Sequence, residues 1–353
     1  MNDSKEKNLQ KIHTEEADVE REAAMAALQN ELSIRRIGVL TSGGDAPGMN
    51  GLIRSVTRTA LYYGLEVMGV RRGYHGLLKG DLIPLEARDV SGLLQRGGTF
   101  LMTARSESFP SEEGLKKAAQ ICDVFNLDAV FCIGGDGTYR GAAALSRMGI
   151  PVMALPATID NDIASTEYSI GYDTAMNTAV DAIDKLRDTA SAHERCSVVE
   201  VMGRHNGYLA LNVGIAVGAE IILIPEHHRD ILDYVVHKIL CARNRGKTNF
   251  IVIVAEGAAH AHEVAASIEE ATGIESRSTT LGYIQRGGNP SARDRLMASF
   301  MGLHAVKALL EGRKNRAIIY DHGMTGDIDL EEAISMQKTI SETRYDMSDI
   351  LSY

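Results

Sequence analysis

Two short runs have residue types and spacing suited to chemistry on a phosphate group. The first, Gly134–Thr138 (GGDGT), follows an apolar segment and precedes a helix-like one. Glycines let a backbone approach a ligand closely, and the N–H groups that open a helix attract phosphate. Asp136 would repel a phosphate unless it held a divalent metal that the phosphate shares. The run therefore indicates a nucleotide phosphate with its metal, with a plain strand-to-helix loop as the alternative.

The second run, Pro156–Asp162 (PATIDND), follows the apolar segment 151–155. Asp160 and Asp162 are two residues apart, and Thr158 stands two residues before Asp160. One carboxylate can serve as a general base while the other lies near a metal. Phosphoryl transfer to an alcohol needs a metal, a base and cationic or dipolar groups around the moving phosphoryl. The alternative is an Asx-rich turn without catalytic function.

Further polar groups stand beside glycine turns and polar loops. The run 42–45 (SGGD) offers a second phosphate cradle or an ordinary loop. Arginines beside such turns are suited to bidentate capture of an anion, although each one alone also fits a surface salt bridge. These arginines are Arg195, Arg204, Arg277 and Arg286.

Apolar runs alternating with helical patterns must position these residues. Strands are predicted at 36–40 and 66–70 and from Ala129, Val152, Ser197, Ile221 and Phe250, and helices at 52–63 and 139–148. The alternation predicts an α/β fold with two Rossmann-like three-layer domains, mostly parallel sheets and a cleft between them. Ligands bind at the carboxyl ends of such strands, where both glycine turns fall.

Composition narrows the class of protein. The chain has 353 residues, a net charge of −10, 44% hydrophobic and 24% charged residues, which argues against a nucleic-acid or membrane partner. The cysteines lack C-x-x-C spacing, so buried free thiols are favoured over a metal site; they are Cys122, Cys132, Cys196 and Cys241. No signal peptide or apolar run of about 18 residues is visible, so a cytoplasmic location is expected. Residues 1–33 predict an appended helix from about Thr14, either a solvated arm or a docking or oligomerisation element.

Together these residues closely resemble the phosphofructokinase family from about residue 36 to 312. The signatures are 40–50 (LTSGGDAPGMN), 97–101 (GGTFL), 134–138 (GGDGT), 158–162 (TIDND), 200–204 (EVMGR) and 285–288 (QRGG). GGDGT alone also resembles NAD kinases and lipid kinases, whereas TIDND and QRGG separate this chain from both. The resemblance implies a larger nucleotide-binding domain (34–171 plus 285–335) and a smaller sugar-phosphate-binding domain (172–284 plus 336–353).

The resemblance also implies roles for single residues. Asp160 would be the base that deprotonates the sugar 1-hydroxyl, and Asp136 would hold Mg²⁺ with Asp162 close by. Thr158, Arg204 and Arg105 would steady the transferred phosphoryl group. The ATP pocket would be lined by Gly44, Arg105, Ser106, Gly135, Asp136, Gly137, Thr138 and Gly141. Fructose 6-phosphate would contact Thr158, Asp160, Arg195, Met202, Gly203, Arg204, Glu256, Arg277, Tyr283 and Arg286. Arg195 would reach into a neighbouring subunit's site, so a homo-oligomer, usually a tetramer, is implied.

Bacterial members with this pattern carry an effector pocket between subunits. Its residues here would be Arg54, Arg58, Arg187, Gly218, Glu220, Arg245 and Lys247, which implies binding of ADP or phosphoenolpyruvate. Arg54 and Arg58 alone fit a solvated helix face equally well. The run 87–92 (ARDVSG) departs from the residues that usually line that pocket.

The implied reaction is ATP-dependent phosphorylation of fructose 6-phosphate in glycolysis. Pyrophosphate-dependent transfer and a non-catalytic regulatory subunit are the alternatives. Gly137 stands where pyrophosphate users carry an acid, and Ala157 where they carry a lysine, so both favour ATP. Three departures bear on donor and acceptor preference: Ala157 for a usual Gly, Met102 for a usual Gly and Tyr283 for a usual His.

Overall fold

The predicted β-runs form two separate sheets. The computed structural model describes residues 34–227 and 231–352. Its first sheet contains seven strands: β1 (Arg36–Thr41), β2 (Glu66–Val70), β3 (Leu82–Pro84), β4 (Ala129–Gly134), β5 (Val152–Pro156), β10 (Arg316–Asp321) and β11 (Met324–Asp329). Its second sheet contains four: β6 (Cys196–Val201), β7 (Ile221–Leu223), β8 (Phe250–Ala255) and β9 (Ser276–Thr280). The helix expected within residues 1–33 lies outside the described residues.

Both sheets are mainly parallel, as the sequence predicts. The first has the strand order β11-β10-β5-β4-β1-β2-β3, and only its outermost strands, β3 and β11, pair antiparallel with their neighbours. The second has the order β7-β8-β6-β9 and is parallel throughout. β4 and β8 are buried along their whole length, which is why both read as unbroken apolar runs.

Helices connect the parallel strands and cover the sheets. In chain order they are α1 (Met49–Tyr62), α2 (Gly73–Lys79), α3 (Glu112–Val124), α4 (Asp136–Arg147), α5 (Tyr172–His193), α6 (Tyr208–Ala216), α7 (Ile231–Asn244), α8 (Ala261–Thr272), α9 (Ala292–Leu310), α10 (Leu330–Ser335) and α11 (Glu342–Leu351). A 3₁₀ turn spans Gly282–Arg286. α1 and α4 begin three residues earlier than predicted, because the glycine turns run directly into the first helical turn.

A buried carboxylate joins the start of α9 to the segment that leads into α5. Asp294 Oδ1 accepts hydrogen bonds from Tyr168 Oη at 2.6 Å and from the Gly171 backbone N–H at 2.8 Å. Its Oδ2 accepts from the backbone N–H and the hydroxyl of Thr174. Burial raises the pKa of Asp294, and these donors oppose that effect. The side chain therefore fixes the connection between the two sheets.

The cysteine prediction is confirmed within the described chain. Cys122, Cys132 and Cys196 are buried free thiols, and Cys241 is half-buried and free. Across residues 34–227 and 231–352, no helix combines the length and apolar character needed to span a lipid bilayer.

Candidate active site

A cleft of about 1180 Å³ lies where the carboxyl ends of the strands of both sheets meet. The first sheet supplies the turns after β1, β4 and β5, and the second supplies the segments after β6 and β8 and the 3₁₀ turn. Sixteen of the predicted residues line it: Gly44, Arg105, Ser106, Gly135, Asp136, Gly137, Thr138, Gly141, Thr158, Asp160, Asp162, Met202, Arg204, Glu256, Tyr283 and Arg286. The fold thus brings both predicted phosphate-chemistry runs into one space.

The GGDGT run forms a turn that opens α4 towards the cleft. Gly135 precedes the helix and offers no side chain to cap its first N–H groups. A Cβ on Gly134 would stand 2.2 Å from Thr138 Oγ1 and 2.4 Å from the Ser42 carbonyl oxygen, so only glycine fits. A Cβ on Gly137 would meet nothing within 4 Å. Uncapped N–H groups beside open space provide a site for an anion.

The two glycine turns are tied to each other. β1 and β4 are neighbours in the sheet, and Thr138 Oγ1 donates a hydrogen bond to the Ser42 carbonyl at 3.1 Å. Tyr74 Oη donates to the Thr138 carbonyl at 2.7 Å, and its ring stacks on Phe109 with centroids 4.0 Å apart. The sequence gives no signal for Tyr74 or Phe109, because both reach the cleft from α2 and from a loop that is remote in the chain.

Asp160 lies in the loop that follows β5. This loop begins beside the Gly134–Thr138 turn. The Ala157 N–H donates to the Gly134 carbonyl at 3.0 Å, and the Asp160 N–H donates to Thr158 Oγ1 at 3.2 Å. Burial and then the Asp162 carboxylate raise the pKa of Asp160 from 3.8 to about 6, while Arg286 acts in the opposite direction. A carboxylate with a pKa closer to neutrality is better suited to accept a proton.

Asp136 and Asp162 have the donor chemistry of a divalent-metal site. Asp162 Oδ1 is buried and accepts no hydrogen bond from the described residues. Burial raises the pKa of Asp162, and the charge of Asp136 adds to this effect. Asp136 points into the cleft and pairs with Arg140, whose Nε lies 2.8 Å from Asp136 Oδ2. Two neighbouring carboxylates, one with an oxygen free of partners, fit a hard cation.

Arg286 crosses the cleft to the first glycine turn. A Cβ on Gly44 would stand 2.1 Å from a terminal guanidinium nitrogen of Arg286, so the arginine depends on the absence of a side chain there. The Arg286 guanidinium carbon lies 5.6 Å from the ring centroid of Tyr283. Tyr283 lines the cleft and is 78% exposed.

Three predicted residues do not line the cleft. Gly203 stands between two lining residues, in a left-handed conformation with φ of 138°. Arg195 and Arg277 lie outside and share one acid: Arg195 Nε is 2.7 Å from Glu275 Oε2, and a terminal nitrogen of Arg277 is 2.5 Å from Glu275 Oε1. The two arginines therefore form one cationic pair on the surface of this chain.

The predicted effector residues form two groups. Arg187 donates to the Val217 carbonyl, beside Gly218, and Lys247 pairs with the buried Glu220. Burial and then the charge of Arg187 lower the pKa of Lys247. Arg245 follows α7, two residues before Lys247. Arg54 and Arg58 lie together on α1, where burial and then Arg58 lower the pKa of Arg54.

Several residues that line the cleft were missed in the sequence. They are Tyr74, Phe109, Arg140, His205 and His260, whereas Asp45 belongs to the predicted 42–45 cradle. Arg140 alone carried a readable signal, because it stands four residues after Asp136 and such pairs meet on a helix. Met102 was noted as a departure, and it has a φ of 60°, the left-handed region in which glycine is easily accommodated.

Comparison with known proteins gives a consistent relationship. The family model described as phosphofructokinase matches residues 36–309. The chain is 50% identical over 319 residues to an ATP-dependent 6-phosphofructokinase of Clostridium botulinum, covering 90% of this chain and 100% of the relative. An ATP-dependent 6-phosphofructokinase 1 of Clostridium perfringens matches with the same identity and coverage.

Comparison with solved structures also finds phosphofructokinases. A phosphofructokinase structure from Saccharomyces cerevisiae matches with a TM-score of 0.80 and 34% identity, over 90% of this chain and 48% of that longer chain. A pyrophosphate-dependent phosphofructokinase from Marinobacter aquaeolei has a TM-score of 0.78 at 23% identity, over 87% of this chain and 86% of its own, a likeness of fold alone. The extent of the family match and the identity to full-length relatives decide the assignment: the chain belongs to the phosphofructokinase family.

Proposed function

We propose that the chain is an ATP-dependent 6-phosphofructokinase. It transfers the γ-phosphoryl group of ATP to the 1-hydroxyl of fructose 6-phosphate, giving fructose 1,6-bisphosphate and ADP in glycolysis. The observation that carries the proposal is the meeting of the Gly134–Thr138 cradle and Asp160 in one cleft. The identity to relatives named for this activity supports it.

Asp160 acts as the general base. Its raised pKa of about 6 leaves it mostly ionised at neutral pH, yet more basic than an ordinary aspartate. It accepts the proton of the 1-hydroxyl as the oxygen attacks the γ-phosphorus. Thr158 and Arg204 stabilise the charge on the moving phosphoryl group, and the open N–H groups of α4 hold the donor's phosphates.

The family implies a divalent metal cofactor, and Mg²⁺ is the ion that we propose. Asp136 would hold it, with Asp162 beside it. When bound, Mg²⁺ neutralises the charge on the donor phosphates that develops during transfer. The partner-free Asp162 Oδ1 supports this placement.

ATP is preferred over pyrophosphate because of Gly137. The position that a Cβ would occupy on Gly137 is open, so the α-phosphate and the nucleoside find room there. Ala157 is fully buried and pairs with Ile170 in an isolated β-bridge, and its methyl side chain provides no ammonium in place of the nucleotide contacts.

Fructose 6-phosphate binding needs two copies of the chain. Met202, Gly203, Arg204 and Glu256 would contact the sugar, and Tyr283 and Arg286 its 6-phosphate. Arg195 and Arg277 share Glu275 away from their own cleft, so we propose that they enter the site of a neighbouring subunit in a homotetramer. The Arg187–Glu220–Lys247 group and the Arg54–Arg58 pair would likewise meet across subunits and bind ADP or phosphoenolpyruvate.

The two sheets support the division into a larger domain (34–171 plus 285–335) and a smaller one (172–284 plus 336–353). β10 and β11 return to the first sheet after the chain leaves the second. The free cysteines suit a reducing compartment, which supports a cytoplasmic location.

A donor and acceptor panel tests the function. ATP, GTP and pyrophosphate are each offered with fructose 6-phosphate, tagatose 6-phosphate and sedoheptulose 7-phosphate in one coupled assay. We expect ATP with fructose 6-phosphate to give the highest kcat/KM. Faster turnover with pyrophosphate would support the rival donor, and no turnover by the purified chain would support a regulatory subunit.

Asp160→Asn tests the assigned base. It should bind both substrates and lose about 10²–10⁴-fold in kcat. A near-normal kcat would remove Asp160 from the mechanism.

A further inference from the structure

One ammonium group holds the backbone of the loop that carries both acids. Lys338 Nζ donates to the carbonyl oxygens of Asn161 at 2.8 Å, Thr166 at 2.9 Å and Ile163 at 3.3 Å. An ammonium group has three N–H donors, so these three carbonyls use them all. We infer that Lys338 is a positioning residue that fixes the 158–166 loop and thereby aims Asp160 and Asp162 into the cleft. This inference rests on the proposed function.

The two ends of the loop are held by other contacts. At its start, Ala157 donates to the Gly134 carbonyl at 3.0 Å. At its end, Thr166 Oγ1 accepts from the Tyr320 N–H at 2.9 Å, and the Glu167 N–H donates to the Tyr320 carbonyl at 2.9 Å. Lys338 holds the stretch between these anchors, which is the stretch that contains both acids.

The residue between the two acids has a left-handed backbone conformation. Asn161 has a φ of 49°, the left-handed region that is unfavourable for most residues other than glycine. Its side-chain amide donates to the Glu167 carbonyl at 3.3 Å, and its backbone carbonyl accepts from Lys338. The left-handed turn sets the directions of the flanking peptides, so a change at Asn161 would turn Asp160 and Asp162 together.

Lys338 also links the loop to the second sheet. It stands in the segment 336–341 between α10, beside the first sheet, and α11. α11 is anchored on the second sheet, where Tyr345 Oη donates to the Ile222 carbonyl at 3.0 Å. The Lys338 ammonium lies 5.3 Å from the ring centroid of Tyr208 on α6. The acids are therefore aimed by a segment that spans both sheets.

The groups around Lys338 make this support sensitive to pH. Burial lowers the pKa of Lys338 to about 8; Asp162 and Glu167 oppose that effect, and Arg344 on α11 adds to it. His205 lowers the pKa of Asp162 through its charge, and the Tyr208 ring lies against the ammonium. Above that pH the amine loses its charge and one of its three donors, so the loop should loosen.

Lys338→Met tests the inference, with Lys314→Met as the matched control on an exposed lysine. In Lys338→Met, amide hydrogen exchange across 159–167 should accelerate about tenfold or more, because an opened loop loses its protection. The value of kcat should fall about 10–100-fold, as expected for a misplaced catalytic group, with both KM values changed less than about threefold. The decline of wild-type kcat above about pH 8 should be absent in the variant.

Unchanged exchange in the loop, or a fall in kcat shared by Lys314→Met, would overturn the inference. If Lys338→Met does not fold, exchange in the wild-type protein at pH 7 and pH 9.5 decides. From pH 7 to pH 9.5, protection of the 159–167 amides against exchange, corrected for the intrinsic rate, should drop more than protection of the buried strand 129–134. An equal change in protection in the two segments would count against Lys338. The exchange measurement tests the role of Lys338 even if the wild-type chain does not phosphorylate fructose 6-phosphate. Failure of the proposed function would therefore be a separate result.

Discussion

Arg140 forms an ion pair with Asp136, the residue proposed to hold the metal. Arg140 Nε lies 2.8 Å from Asp136 Oδ2, and the two residues are one helical turn apart on α4. Both side chains face the cleft and are partly exposed. A metal held by Asp136 would therefore compete with the Arg140 guanidinium, and the displaced Arg140 would be able to turn towards the donor phosphates.

Arg140→Met should change metal binding and nucleotide binding in opposite directions. An exposed ion pair at this spacing contributes about 0.3–0.5 kcal/mol, so affinity for Mn²⁺ without nucleotide should rise about twofold. Affinity for the metal–ATP complex should fall, because a cation that faces the phosphates is gone. Titration followed by Mn²⁺ electron paramagnetic resonance measures the first effect and calorimetry the second.

Lys116→Met is the matched control, since Lys116 pairs with Glu112 at the same spacing on α3, outside the cleft residues. It should change neither affinity. Weaker Mn²⁺ binding in Arg140→Met would contradict the competition.

Activity should show an acid limb set by Asp160. Because its pKa is raised to about 6, the base is protonated and inactive below that pH, and kcat/KM should fall tenfold per pH unit there. Asp162→Asn removes a charge that raises this pKa, so the limb should move to lower pH. If the acid limb stays at the same pH in Asp162→Asn, the limb does not report the ionisation of Asp160.

Asp160→Asn should also stabilise the fold at neutral pH. A raised carboxyl pKa contributes stability that is fully present below the unfolded value of 3.8 and is lost as the pH rises through about 6. The ionised group therefore costs about 1–3 kcal/mol at pH 7, and asparagine removes that cost. Urea unfolding at pH 7 and at pH 4 measures the free energy of unfolding of both proteins. The variant should be more stable than wild type at pH 7, and this difference should shrink at pH 4.

Asp294→Ala should destabilise the protein strongly. The change leaves the buried Tyr168 hydroxyl, two backbone N–H groups and the Thr174 hydroxyl without their acceptor, at a total cost of about 3–5 kcal/mol. The exposed Asp329, which caps α10 by accepting from two backbone N–H groups, provides the control. Asp329→Ala should lose about 1 kcal/mol in the same denaturation experiment. Similar losses in both variants would show that Asp294 does not join the elements as described.

Gly137→Asp should strongly reduce the use of ATP without unfolding the protein. The backbone there has no positive φ and the added side chain meets open space, so the helix tolerates it. A carboxylate beside the donor phosphates costs several kcal/mol, so kcat/KM for ATP should fall about 10²–10³-fold. Gly137→Ala separates charge from size and should retain most activity. Full ATP activity in Gly137→Asp would remove Gly137 as the basis of donor preference.

Seven strands and both phosphate-chemistry runs were readable from the sequence because their signals are local, whereas β3, β9, β10 and β11 were not predicted. β4 is an apolar run that ends in glycines, so the Gly134–Thr138 turn could be placed without the fold. The helix starts were less accurate, since α1 and α4 begin inside the glycine turns. Tyr74, Phe109 and Lys338 could not be found, because their roles depend on contacts with residues remote in the chain.

The sequence by itself determined the α/β class and the family and predicted roles for Asp136, Thr158 and Asp160, since these depend on residue type and on spacing along a strand or turn. Only the tertiary structure decided how those groups are held. It brought Arg286 against Gly44, separated Arg195 and Arg277 from the cleft of their own chain, and placed the Lys338 ammonium against the backbone of the 158–166 loop. The reason is physical: a burial-shifted pKa, a close backbone approach and a three-carbonyl contact all arise from neighbours that only folding brings together.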